Sequence, residues 1–163
     1  MQSSRLMSHV RRATSGVLLA IAGLHVAWGV GSSFPFANRE RLADAVVGAE
    51  EVPPPSACFG VATALLVGAA ALSDGLALPT RLRVVVLRAM VVVFGVRSCL
   101  GFLGLTRLVS PGSTSPTFRQ RDRALYSPLT LALAFAALRT VHSHSRAGDT
   151  AQQCGRGNVR PCR

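Results

Sequence analysis

Four long apolar runs divide the chain, and connectors rich in Pro, Gly and charged residues separate them. The runs cover residues 14–31, 56–78, 84–105 and 124–141. A helix needs about 20 apolar residues to cross the hydrocarbon core of a bilayer, and each run is close to that length. The pattern therefore predicts an all-α protein, a membrane-embedded four-helix bundle formed by residues 14–141.

Polar segments flank and connect these runs. Residues 1–13 form a basic N-terminal arm, and residues 142–163 form a basic tail without hydrophobic periodicity, which predicts disorder. In the first connector, Asn38 is placed to cap a short amphipathic helix that extends through Val47 and ends at Gly48. We expect this helix to lie on the membrane surface.

The fourth run contains a break. Ser127 and Pro128 form the pattern of an N-cap followed by the first helical residue. A regular helix over residues 128–141 is about 21 Å long, shorter than the bilayer core of about 30 Å. We therefore expect residues 122–127 to be kinked or non-helical, which at membrane depth is tolerated only beside a protein interior or a wet cavity.

The composition agrees with a membrane location. The chain is 49% hydrophobic and only 15% charged, below the roughly 25% that is usual for soluble domains. Its net charge of +11 comes from arginines at the ends of the apolar runs, a distribution that disfavours nucleic-acid binding. Segments on the side of the two termini carry 10 arginines against 6 in the other connectors, which predicts a multi-pass protein of the cell membrane with cytoplasmic termini. The lipid bilayer is its expected partner, together with a second copy or another membrane protein.

Polar and aromatic residues from three runs fall in the outer half of the predicted bundle. His25 and Trp28 share a face of the first run, Arg97 lies deep in the third, and Asp122 and Tyr126 begin the fourth. An unpaired arginine costs about 3 kcal/mol in a bilayer on insertion scales, so Asp122 or the Tyr126 hydroxyl is the expected partner of Arg97. We hypothesise an ion pair between Arg97 and Asp122. This pair would close a small polar chamber with His25 and Tyr126 on its walls.

A stripe of small residues runs along the second span. Gly60, Ala64 and Gly68 recur every four residues and predict a groove for the close approach of another helix. The sequence contains no nucleophile motif, phosphate-binding loop or dinucleotide-binding glycine set, and its four cysteines include no CxxC pair. We therefore predict no catalytic residue, no metal and no cofactor.

The same residues resemble a known family. The resemblance lies in His25-x-x-Trp28-Gly29, in Arg97 followed by Gly101, and in Phe118-x-x-x-Asp122-x-x-x-Tyr126-Ser127-Pro128-Leu129. These elements, within residues 16–138, resemble a bacterial family of small four-helix membrane proteins classed as a domain of unknown function. The resemblance implies four spans and a membrane location but no activity. Members often carry Tyr and Cys where this chain has Ala27 and Thr130, which puts thiol chemistry at the latter position in doubt.

Three hypotheses about function follow from these observations. In the first, the chamber binds a small ligand or a proton, as in a transporter-like or sensory module, because an imidazole with its ordinary pKa of about 6.5 changes charge near neutral pH. In the second, the protein is a structural or accessory membrane subunit whose polar residues only hold helices together. In the third, it is a membrane enzyme acting on a lipid or quinone with His25 as general base.

Overall fold

The structure, a computed structural model, describes residues 2–73, 78–108, 112–113 and 115–156, and every regular element in them is helical. The helices are α1 (Gln2–Gly29), α2 (Arg39–Val46), α3 (Pro55–Leu72), α4 (Thr80–Leu103), α5 (Pro116–Arg121) and α6 (Ser127–Arg156). A 3₁₀ turn (Thr106–Leu108) follows α4, and a π-helical turn (Asp122–Tyr126) joins α5 to α6. The predicted all-α class is confirmed for this part of the chain.

The four long helices pack as two pairs. α1 lies along α3 and α4 lies along α6, while smaller contacts between α3 and α4 and between α1 and α6 join the pairs. All four helices contribute buried side chains to one apolar core, which includes Leu18, Ala22, Leu65, Ala69, Leu87, Met90, Leu133 and Ala137. Close van der Waals packing of these side chains holds the pairs together.

Three segments of the described chain are long and apolar enough to cross a membrane. They are Pro55–Leu72, Thr80–Leu103 and Pro116–Ser143, with mean hydropathies of 1.8, 2.0 and 1.4. α1 is not among them, because it ends at Gly29, so that its last 18 residues still include Arg12 as well as His25. Helices of membrane-spanning length and composition are therefore present, and the fourth span remains a prediction.

The first and last helices, α1 and α6, extend further than the sequence pattern predicts. α1 begins at Gln2, so the basic arm is part of the helix. The sequence predicts disorder from residue 142 onward, whereas α6 continues to Arg156, and residues 157–163 lie outside the described part of the chain. Neither extension contains proline, and adding a residue to an existing helix costs much less than nucleating a new one.

The break in the fourth run is a π-helical turn. Ser127 does not cap a new helix that begins at Pro128, as predicted, because α5, the turn and α6 follow one another without interruption. The Ser127 amide donates to the carbonyl of Asp122, five residues earlier. Pro128 has no amide hydrogen and its ring would clash with an α-helical carbonyl, so one wider turn before it accommodates the ring. The expected distortion is therefore present, but it bends a continuous helix.

α2 covers one end of the bundle, here called the capped end. As predicted, the Asn38 side chain accepts a hydrogen bond from the Arg41 amide at 2.9 Å, and Gly48 with φ +73° follows the helix. A Cβ at Gly48 would lie 2.7 Å from the ring of Phe118 in α5. α2 therefore packs closely against α5, and the backbone of Gly48 permits that approach.

The small-residue stripe of α3 divides between two environments. A Cβ at Gly60 would meet open space, and Ala64 is exposed. Gly68 is buried, and a Cβ there would lie 3.1 Å from the Met90 sulfur. The stripe is therefore packed against α4 and α1 at Gly68 and is exposed at Gly60 and Ala64.

Replacing Gly68 by Leu should therefore destabilise the bundle, whereas Gly60→Leu should not. The larger side chain at position 68 must displace Met90 and Leu18, and such overpacking typically costs about 1–3 kcal/mol. Thermal unfolding of the purified protein in detergent measures the difference. Equal melting temperatures for the two variants would contradict the observed packing.

Candidate functional site

The predicted ion pair between Arg97 of α4 and Asp122 of the π-helical turn is present. Arg97 Nη2 lies 2.6 Å from Asp122 Oδ1, and Nη1 donates to Oδ2 at 3.3 Å. The Asp122 side chain is 1% exposed and that of Arg97 is 26% exposed. The pair is thus bidentate, with its negative member inside the protein and its positive member reaching the surface of a cavity.

A third donor completes the environment of the carboxylate. Thr106 Oγ1, in the 3₁₀ turn after α4, donates to Asp122 Oδ2 at 2.8 Å. A buried carboxylate is stable only when opposite charge and hydrogen bonds replace its lost hydration. Arg97 and Thr106 together provide both, and they join α4 and its following turn to the start of the last span.

Gly101 allows α4 and α6 to approach at this level. A Cβ at Gly101 would overlap Ser127 Oγ and would lie 2.9 Å from Asp122 Oδ2 and 3.0 Å from Arg97 Nη1. Ser98 Oγ donates to the Ser127 carbonyl at 2.9 Å, and the Ser127 hydroxyl is buried with no hydrogen-bond partner among the described residues. The ion pair therefore lies directly against the closest contact between the two helices.

A cavity of about 330 Å³ lies next to the ion pair at the capped end. Its polar and aromatic lining comes from His25, Trp28, Arg97, Thr106 and Phe118. The remaining lining is apolar and comes from α2 and the segment before α3: Leu42, Val46, Val47, Val52 and Pro53. We call this cavity the chamber. The guanidinium of Arg97 forms part of its wall while remaining paired with Asp122.

His25 and Trp28 form an aromatic corner of the chamber. Their ring centroids are 4.9 Å apart and the rings are tilted by 53°. His25 Nδ1 lies 2.9 Å from the carbonyl of Ile21, which can only accept, so this nitrogen is assigned the hydrogen. The Nε2 atom of a neutral ring is then an acceptor on the far side from the helix. The Trp28 indole donates to the Phe34 carbonyl at 2.7 Å, which fixes its ring.

Tyr126 lies apart from the chamber wall on which it was predicted. Its hydroxyl donates to the Ala45 carbonyl at 2.9 Å, and its ring contacts that of Phe118 at a centroid distance of 6.1 Å. Tyr126 thus links the π-helical turn to α2 and does not pair with Arg97. The correction arises because α2 folds over the capped end, which the helix register of the spans alone does not specify.

The other predicted site residues are brought together. His25, Trp28 and Arg97 line one cavity, and Asp122 lies behind it. Thr106 was not among the predicted site residues, because it lies in a connector, where no helical periodicity indicates which way a side chain points. The position of Gly101 beside the ion pair could have been predicted, since this residue follows Arg97 by one helical turn on the same face. No group of three or more His, Cys, Asp or Glu side chains that could hold a metal occurs within the described residues.

Removing either member of the ion pair should destabilise the protein unequally. Arg97→Ala leaves a buried carboxylate without its counter-charge and should cost about 3 kcal/mol. Asp122→Ala should cost less, because the partly exposed guanidinium can turn toward water. The double variant should recover part of the loss, as measured by chemical denaturation of all three proteins in detergent. Strictly additive losses would show that the two side chains do not interact.

Gly101→Ala should destabilise the same region by about 1–3 kcal/mol, because the added methyl group overlaps Ser127 and crowds the ion pair. Gly95→Ala is the matched control on the same helix, since a Cβ at Gly95 meets open space. That control should be neutral or slightly stabilising, as alanine favours a helix over glycine by up to about 1 kcal/mol. Melting temperatures decide the prediction, and a tolerated Gly101→Ala would contradict the close contact.

Comparison with known proteins identifies the family of this chain. No curated protein and no solved structure matches the chain significantly. A family model described as a protein of unknown function, DUF3995, matches residues 18–137 and so contains the site residues from α1, α4 and the π-helical turn. Because this match covers most of the chain, the protein belongs to the DUF3995 family of proteins of unknown function.

Proposed function

We propose that this protein is an integral membrane protein that binds a small ligand or a proton in the chamber beside the Arg97–Asp122 pair. The observation that carries the proposal is the chamber itself, where a guanidinium and an imidazole from different helices line one cavity of about 330 Å³. That volume is at the lower end of the range of about 300–1,000 Å³ for ligand pockets, so the ligand is small.

The lining favours a ligand with one polar group on an apolar body. Arg97 presents hydrogen-bond donors, and His25 presents an acceptor when neutral and a donor when protonated. Trp28, Phe118 and the aliphatic side chains of α2 form the apolar walls. A small carboxylate or phenol has this combination of features.

The ion pair serves this function by holding Arg97 in place. A guanidinium held by two hydrogen bonds keeps a fixed direction, so Arg97 is preorganised in the lining of the chamber. In the four-span arrangement with cytoplasmic termini, the capped end and its chamber face outward. α2, which forms one wall, would then lie between the ligand and the outside of the membrane.

A second candidate is the structural or accessory subunit. It is favoured by the number of polar side chains that bond within the chain: Asp122 to Arg97 and Thr106, Trp28 to Phe34, and Tyr126 to Ala45. Such contacts between membrane helices average about 0.6 kcal/mol each and need no ligand. Under this alternative His25 has no role beyond packing.

The two candidates differ in how Trp28 fluorescence should respond. Trp28 is the only tryptophan in the chain and its ring lies 4.9 Å from that of His25. Binding in the chamber should therefore change its emission. We expect a saturable change on addition of benzoate as a probe, and this change should disappear in His25→Ala.

His142→Ala is the matched control. His142 makes the same bond to its own helix, with Nδ1 2.9 Å from the Leu138 carbonyl, but it is exposed and outside the chamber. This variant should retain the fluorescence response to benzoate. If His25→Ala responds to benzoate as the wild-type protein does, the response does not come from the chamber and the structural candidate is favoured.

A further inference from the structure

A basic pocket lies on the exposed side of α5 and the π-helical turn. It has a volume of about 530 Å³ and is lined by Pro116, Arg119, Gln120, Arg123 and Ala124. All of these residues are exposed, and their spacing in the sequence places them on one face of the helical segment. The pocket shares no lining residue with the chamber, which α5 contacts through the buried Phe118.

The two guanidinium groups of this pocket have no partner within the described part of the chain. The side chains of Arg119 and Arg123 form neither an ion pair nor a hydrogen bond with a described residue. Asp122, their neighbour in sequence, is already paired with Arg97. Two cations four residues apart on an exposed helix face repel each other. The pocket therefore favours an anion that contacts both of them.

Arg123 is positioned at the pocket by its contact with the end of α4. Gly104, with φ +72°, follows the last residue of α4, and a Cβ there would lie 2.6 Å from Arg123 Nη2. The carbonyl end of a helix carries partial negative charge, which favours a cation at this place. A guanidinium binds a phosphate group through two parallel N–H donors, and the amide of Gln120 adds a neutral donor. The lining thus has the chemistry that recognises a phosphate group.

The location of the pocket along the chain indicates where this phosphate comes from. The pocket lies at the beginning of Pro116–Ser143, a segment of 28 residues that is long and apolar enough to cross a membrane. Such a helix is about 42 Å long, close to the 40–45 Å or so of a bilayer with its headgroup layers. Its first turns therefore lie among the headgroups. Farther along the same segment, Leu131 and Phe135 are exposed to the acyl chains.

We propose that this pocket binds the phosphate group of an anionic phospholipid of the surrounding bilayer through Arg119 and Arg123. The inference rests on the membrane-spanning arrangement in the proposed function and not on the chamber. Each arginine near the bilayer surface favours an anionic over a neutral headgroup by about fivefold, equivalent to about 1 kcal/mol. The site is selective for headgroup charge, because a zwitterionic headgroup carries a cation that the two arginines repel.

Native mass spectrometry of the full-length protein in a neutral detergent tests the site directly. The probes are dioleoylphosphatidylglycerol and dioleoylphosphatidylcholine, which share their acyl chains and differ in headgroup charge. We expect one retained phosphatidylglycerol, bound at least fivefold more strongly than phosphatidylcholine. Glycerol phosphate, which carries the charge without the chains, should not be retained. Its retention in place of the lipid would assign the pocket to a free phosphate compound and contradict the proposal.

Single variants identify the arginines that are responsible. Arg119→Gln and Arg123→Gln should each lower the preference for phosphatidylglycerol by about fivefold. Arg119 is exposed, so its replacement leaves the packing intact even if Arg123→Gln disturbs the end of α4. Arg121→Gln is the matched control, because Arg121 is exposed in the same short helix but does not line the pocket. This control removes the same charge and should keep the wild-type preference.

Equal retention of the two lipids by the wild-type protein would overturn the proposal. The same conclusion follows if Arg119→Gln keeps the full preference, or if Arg121→Gln lowers it as much as Arg119→Gln does, because net charge alone then explains the binding. Resistance of the protein to alkaline carbonate extraction from membranes tests the spanning arrangement separately. Neither measurement involves a residue of the chamber, whose failure is recognised by the benzoate titration instead.

Discussion

A guanidinium inside an apolar helical bundle needs a counter-charge, and Asp122 supplies it to Arg97 from the π-helical turn before α6. The arrangement around this pair follows from that requirement. Thr106 supplies a third hydrogen bond to the carboxylate, Gly101 leaves the space for it, and the π-helical turn carries the aspartate to the required position. The pair also determines what the chamber contains, because only the positive member reaches the cavity wall.

The π-helical turn and α2 together make the capped end different from a plain bundle end. A regular α-helix cannot pass unchanged into Pro128, because proline has no amide hydrogen and its ring clashes with the carbonyl four residues earlier. The wider π-helical turn before Pro128 places Asp122 toward α4 and Tyr126 toward α2. Tyr126 and Phe118 then bind and pack against α2, which completes the apolar wall of the chamber. A helix-breaking residue within a span thus positions both the charged and the aromatic residues of the site.

The apolar face of the α3–α4 pair has a different chemistry. A groove of about 390 Å³ between the two helices is lined only by apolar residues, among them the exposed Val61 of α3 and Val93 of α4. The chamber lies beside a buried, paired charge, whereas no charged residue lines this groove. One bundle therefore combines an internal polar site with an apolar outer groove.

The sequence by itself determined the helical class, the apolar helices of spanning length, the Asn38-capped helix and the pairing of Arg97 with Asp122. These features depend on local periodicity, on capping chemistry and on the cost of an unpaired charge, all of which can be read along one chain. The tertiary structure decided that Tyr126 bonds to Ala45, that Thr106 completes the carboxylate site and that Gly60 faces outward while Gly68 packs. Each of these depends on how connectors and helices meet, because a side chain's partner across a loop or a second helix is fixed by three-dimensional packing and not by its spacing in sequence.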